Sequence, residues 1–322
     1  MDKNANHISP MNSYLDAVYQ GKNDWWRYLS ALGLILFFWL IIGSIPVFLL
    51  GIYVIWDTNP ETGITVTGFF GVDPLLAFIV TISGFVFFFL ALFLAVRFIH
   101  RRPFRSLVTP GRRIDWKRMA LGFLFWFVIV CLVSLFEVIL YPDRYAVSFN
   151  YEHFIVFFIF AILLIPIQAA CEELFFRGYL MQSIGLRLRG ILVLPLISGV
   201  IFGALHFWNP EMTVTNGSWL LGFSYLLIGF FAALITLLDG GLELALGLHI
   251  ANNLYTSLVA NYTVSALPSE SIFQINTIDP FFGLVSLIIG LGIFYLLAFM
   301  IFPNEKTTQS SGTDDLEVET GK

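Results

Sequence analysis

Eight apolar runs, each near or above the length of a membrane span, leave this chain few ways to fold. They lie near 29–55, 75–99, 118–141, 153–172, 190–208, 218–238, 241–260 and 280–302. A helix needs about 20 apolar residues to cross the hydrocarbon core. Within that core every backbone N–H and C=O must be satisfied by the helix itself or by closure of a barrel. The alternation that barrel strands require is not visible in these runs. The expectation is therefore an all-α, polytopic membrane helical bundle of about eight transmembrane helices. Charge content agrees, with 12% Asp, Glu, Lys and Arg where soluble domains carry roughly 25%.

The organisation follows from the polar ends. Residues 1–26 form a polar N-terminal segment and 27–303 a transmembrane domain, with a motif-bearing core at about 150–260. Residues 304–322 are acidic and poor in aromatics, and are expected to be a disordered tail. No cleavable signal sequence precedes the first run, which is too long for a signal h-region. Cys131 and Cys171 both lie in apolar runs and read as small core residues outside any disulfide framework. A basic stripe interleaved with aromatics is absent, so nucleic acid is not an expected partner. The lipid bilayer is.

Lys and Arg set the orientation. The link between the second and third runs carries a dense series from Arg101 to Arg118, and the link between the fourth and fifth adds Arg187 and Arg189. Lys3, Lys22 and Arg27 precede the first run and Lys306 follows the last, while the opposite links hold only Arg144. By the positive-inside rule both termini are cytoplasmic, in what is expected to be a prokaryotic plasma membrane.

Three motifs carry chemistry. The first is Glu172-Glu173-x-x-x-Arg177, in PIQAACEELFFRGYL. Glu173 and Arg177 are four apart and share a helix face, so they can pair, while Glu172 points about 100° away. A carboxylate left free in an apolar setting is a general acid–base candidate. The plain alternative is an ion pair at the membrane surface. The second motif is Phe202-x-x-x-His206 and the third His249-x-x-x-Asn253. Either histidine alone reads as an interfacial or hydrogen-bonded residue. Their joint occurrence with paired glutamates in three apolar runs is what marks a site, because ionisable residues within a membrane are costly and functional by default. Counting residues from the Arg187–Arg189 turn puts Glu172 and His206 both about 25 Å deep if each arm is straight helix. The expected site lies within the membrane, reached by water from the cytoplasmic side.

In this order and on three apolar runs, these motifs resemble those of the CPBP family, which comprises type II CAAX prenyl endopeptidases and bacteriocin-processing or immunity proteins, also called the Abi family. The resemblance spans about 155–260. It implies an intramembrane endopeptidase in which Glu172 activates water with His206 as its partner. His249 and Asn253 would hold the oxyanion, and Glu173 and Arg177 would shape the site. The implied partner is a peptide or protein substrate, prenylated or hydrophobic near its C-terminus. The family is often labelled metalloprotease. Glu172, His206 and His249 are the candidate ligands for a zinc ion, but the spacing is unlike HExxH, and the choice between zinc and no metal stays open. The competing readings are a non-catalytic immunity or signalling scaffold of the same fold and a proton-coupled transporter.

Other residues have plainer expectations. Glu137 reads as snorkelling or hydrogen-bonded, and Asp239 and Glu243 as interfacial beside a Gly-Gly turn. Trp25, Trp26, Trp116 and Trp208 suit an aromatic belt. Small residues in SGVIFGALH and ALGLHIANN would let helices approach closely around the site.

Overall fold

The computed structural model describes residues 9–65 and 68–304. The expected tail lies outside the described residues apart from Asn304, as do the first eight residues of the polar N-terminal segment. All eight apolar runs are helical. We label the helices α1 (Pro10–Asp16), α2 (Trp25–Trp56), α3 (Pro74–Ile99), α4 (Trp116–Leu140), α5 (Tyr151–Ile184), α6 (Val193–His206), α7 (Pro210–Val214), α8 (Ser218–Asp239), α9 (Glu243–Leu258) and α10 (Pro280–Ile301).

Six of them, α2, α3, α4, α5, α8 and α10, are long and apolar enough to cross a membrane. Their outer faces keep large side chains such as Leu132, Phe136, Ile139 and Leu163 exposed, as lipid-facing helices do. The chain is thus an integral membrane protein. The expected eight spans are not all met by length. α6 has 14 residues and α9 has 16, about 21 and 24 Å at the helical rise, against a core of about 30 Å. The cause is local. α6 stops at His206 ahead of Asn209-Pro210, where the residue before a proline leaves the helical region. α9 starts only after the Gly240-Gly241 turn, in which Gly240 takes the left-handed conformation (φ 72°) that closes α8.

The two ends of the bundle differ. At the basic end, part of the polar N-terminal segment folds inward as α1. Its Tyr14 is fully buried, and the hydroxyl donates to the carbonyls of Leu107 (2.7 Å) and Arg177 (3.2 Å). Arg118 pairs with Asp239 at 2.9 Å and donates to the carbonyls of Ala298 and Phe302. Asp239 and Glu243, at this end, are covered by protein rather than by solvent. Their partners, Arg118 and the Asp115 backbone N–H, are too remote in sequence for composition to reveal.

At the opposite end, short loop strands pair into small sheets that hydropathy does not anticipate. β3 (Tyr145–Val147) runs antiparallel to β5 (Phe273–Ile275), which pairs in parallel with β4 (Ala260–Tyr262). A separate hairpin joins β1 (Gly63–Thr65) and β2 (Gly68–Phe70). Arg144 clamps this end by pairing with Glu137 (3.0 Å) and Asp279 (2.8 Å). Trp25, Trp116 and Trp208 are strongly exposed at the two ends, as belt residues should be.

Small residues set the helix spacing. α6 meets α8 through Gly199, Gly203 and Gly229, and α9 meets α4 through Gly122 and Gly247. A Cβ on Gly247 would overlap the carbonyl oxygen of Met119. Backbone cannot yield as a flexible side chain does. Gly247→Ala should therefore lower the thermal midpoint of the detergent-purified protein, the usual overpacking cost being about 1–3 kcal/mol. Gly33→Ala, with open space around it, should not. Equal midpoints for the two variants would refute this account of the α4–α9 contact.

Candidate active site

The seven residues singled out by the motifs line one cavity of about 440 Å³, within the range of small-ligand sites. α5 supplies Glu172, Glu173 and Arg177. Pro166 lies within this helix, and directly after Glu173 it opens into a π-helical stretch, Leu174–Leu180. Such widened turns recur at functional sites. Here the stretch holds Arg177, which pairs with Glu173 at 2.8 Å as the spacing predicts. Both side chains are buried. Arg177 also donates to the Gly229 carbonyl at 3.1 Å, and its guanidinium lies 4.4 Å from the centre of the Phe202 ring.

His249, on α9, bridges the two glutamates. Its Nδ1 lies 2.7 Å from Glu173 Oε1 and its Nε2 3.5 Å from Glu172 Oε2. A carboxylate only accepts, so Nδ1 carries a hydrogen in this contact. Nε2 then faces a second carboxylate, an arrangement that is attractive when the Glu172–His249 pair holds a further proton. With that proton, the two carboxylates, Arg177 and His249 sum to zero charge, the condition under which buried ions are tolerated.

Gln168 is the residue that the motifs missed. It is buried one helical turn before Glu172. Its amide nitrogen donates to Glu172 Oε1 at 2.5 Å, and its carbonyl accepts from Asn253 Nδ2 at 2.7 Å. The signal was present, since a lone Gln four residues before Glu172 in an apolar run shares its face. Asn253 also accepts from Asn252, which in turn accepts from the Trp126 indole. Asn253 is thus locked by neighbours, with one amide hydrogen remaining.

His206 lines the same cavity, with its Nδ1 turned to its own helix, and His249 is the histidine in direct contact with Glu172. His206 Nδ1 lies 2.8 Å from the Phe202 carbonyl, which fixes the hydrogen on Nδ1 and leaves Nε2 as an acceptor. The ring lies between Phe202 (centroids 4.2 Å) and Tyr225 (4.5 Å). Phe202 therefore has two tasks, covering Arg177 on one side and orienting His206 on the other. Tyr225 is tied to Glu211, which also receives hydrogen bonds from Asn209 and the Ala266 backbone. Neither Tyr225 nor Glu211 was legible, because an aromatic in an apolar helix and a Glu after a proline are commonplace.

The candidate zinc set of Glu172, His206 and His249 does not close. Among the described residues no three His, Cys, Asp or Glu side chains come together as ligands.

The cavity is not lined by loops at the basic end. There residues 177–182 are mostly buried beneath the loop that holds Leu107 and beneath Tyr14, while Arg187, Leu188 and Arg189 are exposed. From Trp126 and Arg177 the cavity runs to the other end, where Glu211, Ser265, Ala266 and Asp279 line it. Glu137 lies at this mouth and is hydrogen-bonded as well, to Arg144 and to Tyr145 at 2.7 Å.

A family model described as Type II CAAX prenyl endopeptidase Rce1-like matches residues 152–255, the stretch that contains all seven motif residues and Gln168. YyaK of Bacillus subtilis (strain 168), an uncharacterized protein, is 37% identical over 246 residues, covering 76% of this chain and 81% of that protein. No solved structure matches significantly. The matched stretch is the one that builds the Glu–His–Arg cluster, and the YyaK alignment extends well beyond it, so the chain belongs to the Rce1-like family of type II CAAX prenyl endopeptidases.

Proposed function

We propose that this membrane protein is an intramembrane endopeptidase that hydrolyses peptide bonds by water activated at Glu172. The observation that carries this reading is the Glu172–His249 pair, buried in a cavity and held by Gln168 and Glu173. Water attacks the scissile carbonyl carbon while Glu172 takes its proton. The oxyanion is met by donors on His249 and Asn253, and the proton passes to the leaving amine as the C–N bond breaks. His206 Nε2, an acceptor in the same cavity, is placed to orient the water or the leaving group. Glu173 and Arg177 keep His249 in register. No step calls for a metal.

The substrate is a peptide or protein with an apolar segment beside the scissile bond, since most of the cavity wall is hydrophobic. The protein is placed in a prokaryotic plasma membrane with both termini cytoplasmic, on the asymmetry of Lys and Arg. The test is cleavage of a peptide library, part of it farnesylated at a C-terminal Cys, by purified protein in liposomes. Wild type is expected to cleave at least one class, with or without a chelator, and Glu172→Gln to cleave it about 10²–10⁴-fold more slowly. Undiminished cleavage by Glu172→Gln would sink the mechanism, and a rate abolished by the chelator would sink its metal-free form.

A further inference from the structure

The cavity and the basic loops lie at opposite ends of the bundle, and these two facts together fix a side. The basic end gathers Arg101 to Arg118, Arg187 and Arg189, whereas Arg144 is the sole Lys or Arg in the loops at the cavity's end. Positive residues stay on the cytoplasmic side of a membrane. The basic end is also closed beneath the site by Tyr14 on the Leu107 and Arg177 carbonyls and by Arg118 on Asp239. At the other end the wall is made by the loops around Tyr145, Glu211, Ser265 and Asp279.

We propose that the active site is served from the outer face of the membrane, so that its substrates are polypeptide segments that have crossed or are crossing the bilayer. Resting on the endopeptidase reading for the chemistry, the inference replaces the substrate that the family name suggests. A prenylated C-terminus carried by a cytosolic protein would meet the closed, basic end. An exported peptide, or the outer portion of a membrane-spanning segment, meets the open one. The mouth also bears acidic side chains, Glu137, Glu211 and Asp279, with Arg144 pairing two of them.

Cysteine labelling decides the side independently of activity. Thr263 is exposed at the cavity's end, Ser286 lines the cavity, and Arg112 is exposed at the basic end. Thr263→Cys, Ser286→Cys and Arg112→Cys are introduced singly into the full chain, with the native protein, which keeps Cys131 and Cys171, as background. Intact cells are treated with a membrane-impermeant thiol reagent. Thr263→Cys and Ser286→Cys are expected to label in intact cells, and Arg112→Cys only after permeabilisation. Labelling of Arg112→Cys in intact cells, or of Ser286→Cys only after permeabilisation, overturns the proposal.

An activity arm separates this failure from failure of the hydrolase reading. An impermeant fluorogenic peptide, already shown to be a substrate in detergent, is added outside right-side-out or inverted vesicles. Cleavage confined to right-side-out vesicles supports the proposal, and cleavage confined to inverted ones overturns it. If no peptide is cleaved even in detergent, the hydrolase reading falls, while the labelling still decides which face the cavity serves.

Discussion

Arg177→Leu should be among the most damaging single substitutions in the chain, with a loss of about 3–5 kcal/mol, the usual cost of stripping one partner from a buried ion pair. Arg177 is buried, and among the described residues no other guanidinium or ammonium pairs with the two glutamates. Without it, Glu173 keeps only His249, and a carboxylate stays in low dielectric beside a second one. The Gly229 carbonyl loses its donor and Phe202 loses the cation over its face. Arg177→Lys should rescue only part of the loss, because an ammonium cannot hold Glu173 and the Gly229 carbonyl with one planar fork. Adding Glu173→Gln to Arg177→Leu should recover part of the stability by removing the stranded charge. The readout is the thermal midpoint and monodispersity in detergent. If Arg177→Leu melts with wild type, the pair is not buried as described. If Glu173→Gln brings no recovery, charge is not the cause.

The sequence made the chemistry more legible than the geometry, and the reason is physical. Charged residues in an apolar run are expensive, so Glu172, Glu173, His206 and His249 stood out without any structure. The i,i+4 pairing of Glu173 with Arg177 was equally local. What failed depended on contacts between residues distant in sequence. Hydropathy tells lipid-compatible from water-compatible segments, but not whether protein or solvent covers a polar residue. Asp239 looked interfacial, yet Arg118 buries it from 121 residues away. Arg102, in the basic link, looked solvent-exposed by its charge, yet it donates to Gln182 in the interior at 2.9 Å. The direct contact of His249 with both glutamates could not be read from spacing, because each helix's rotation is set by packing, here at Gly247 for α9.

The Glu172–His249 pair makes the sharpest prediction about catalysis. Acid–base groups typically contribute about 10²–10⁴ in rate, so Glu172→Gln and His249→Gln should each lower kcat by that order while KM changes little. Their effects should not multiply. At 3.5 Å from one another the two groups act on the same water as a unit, and removing the second member of a unit costs little once the first is gone. The double variant should therefore be nearly as active as the weaker single one. His206→Ala offers the contrast. It shares no hydrogen bond with Glu172, so combined with Glu172→Gln it should lower whatever rate remains by a further factor. Strict multiplication of the Glu172 and His249 effects would place the proton elsewhere in the cavity and leave Gln168 and Glu173 holding a structural ion pair.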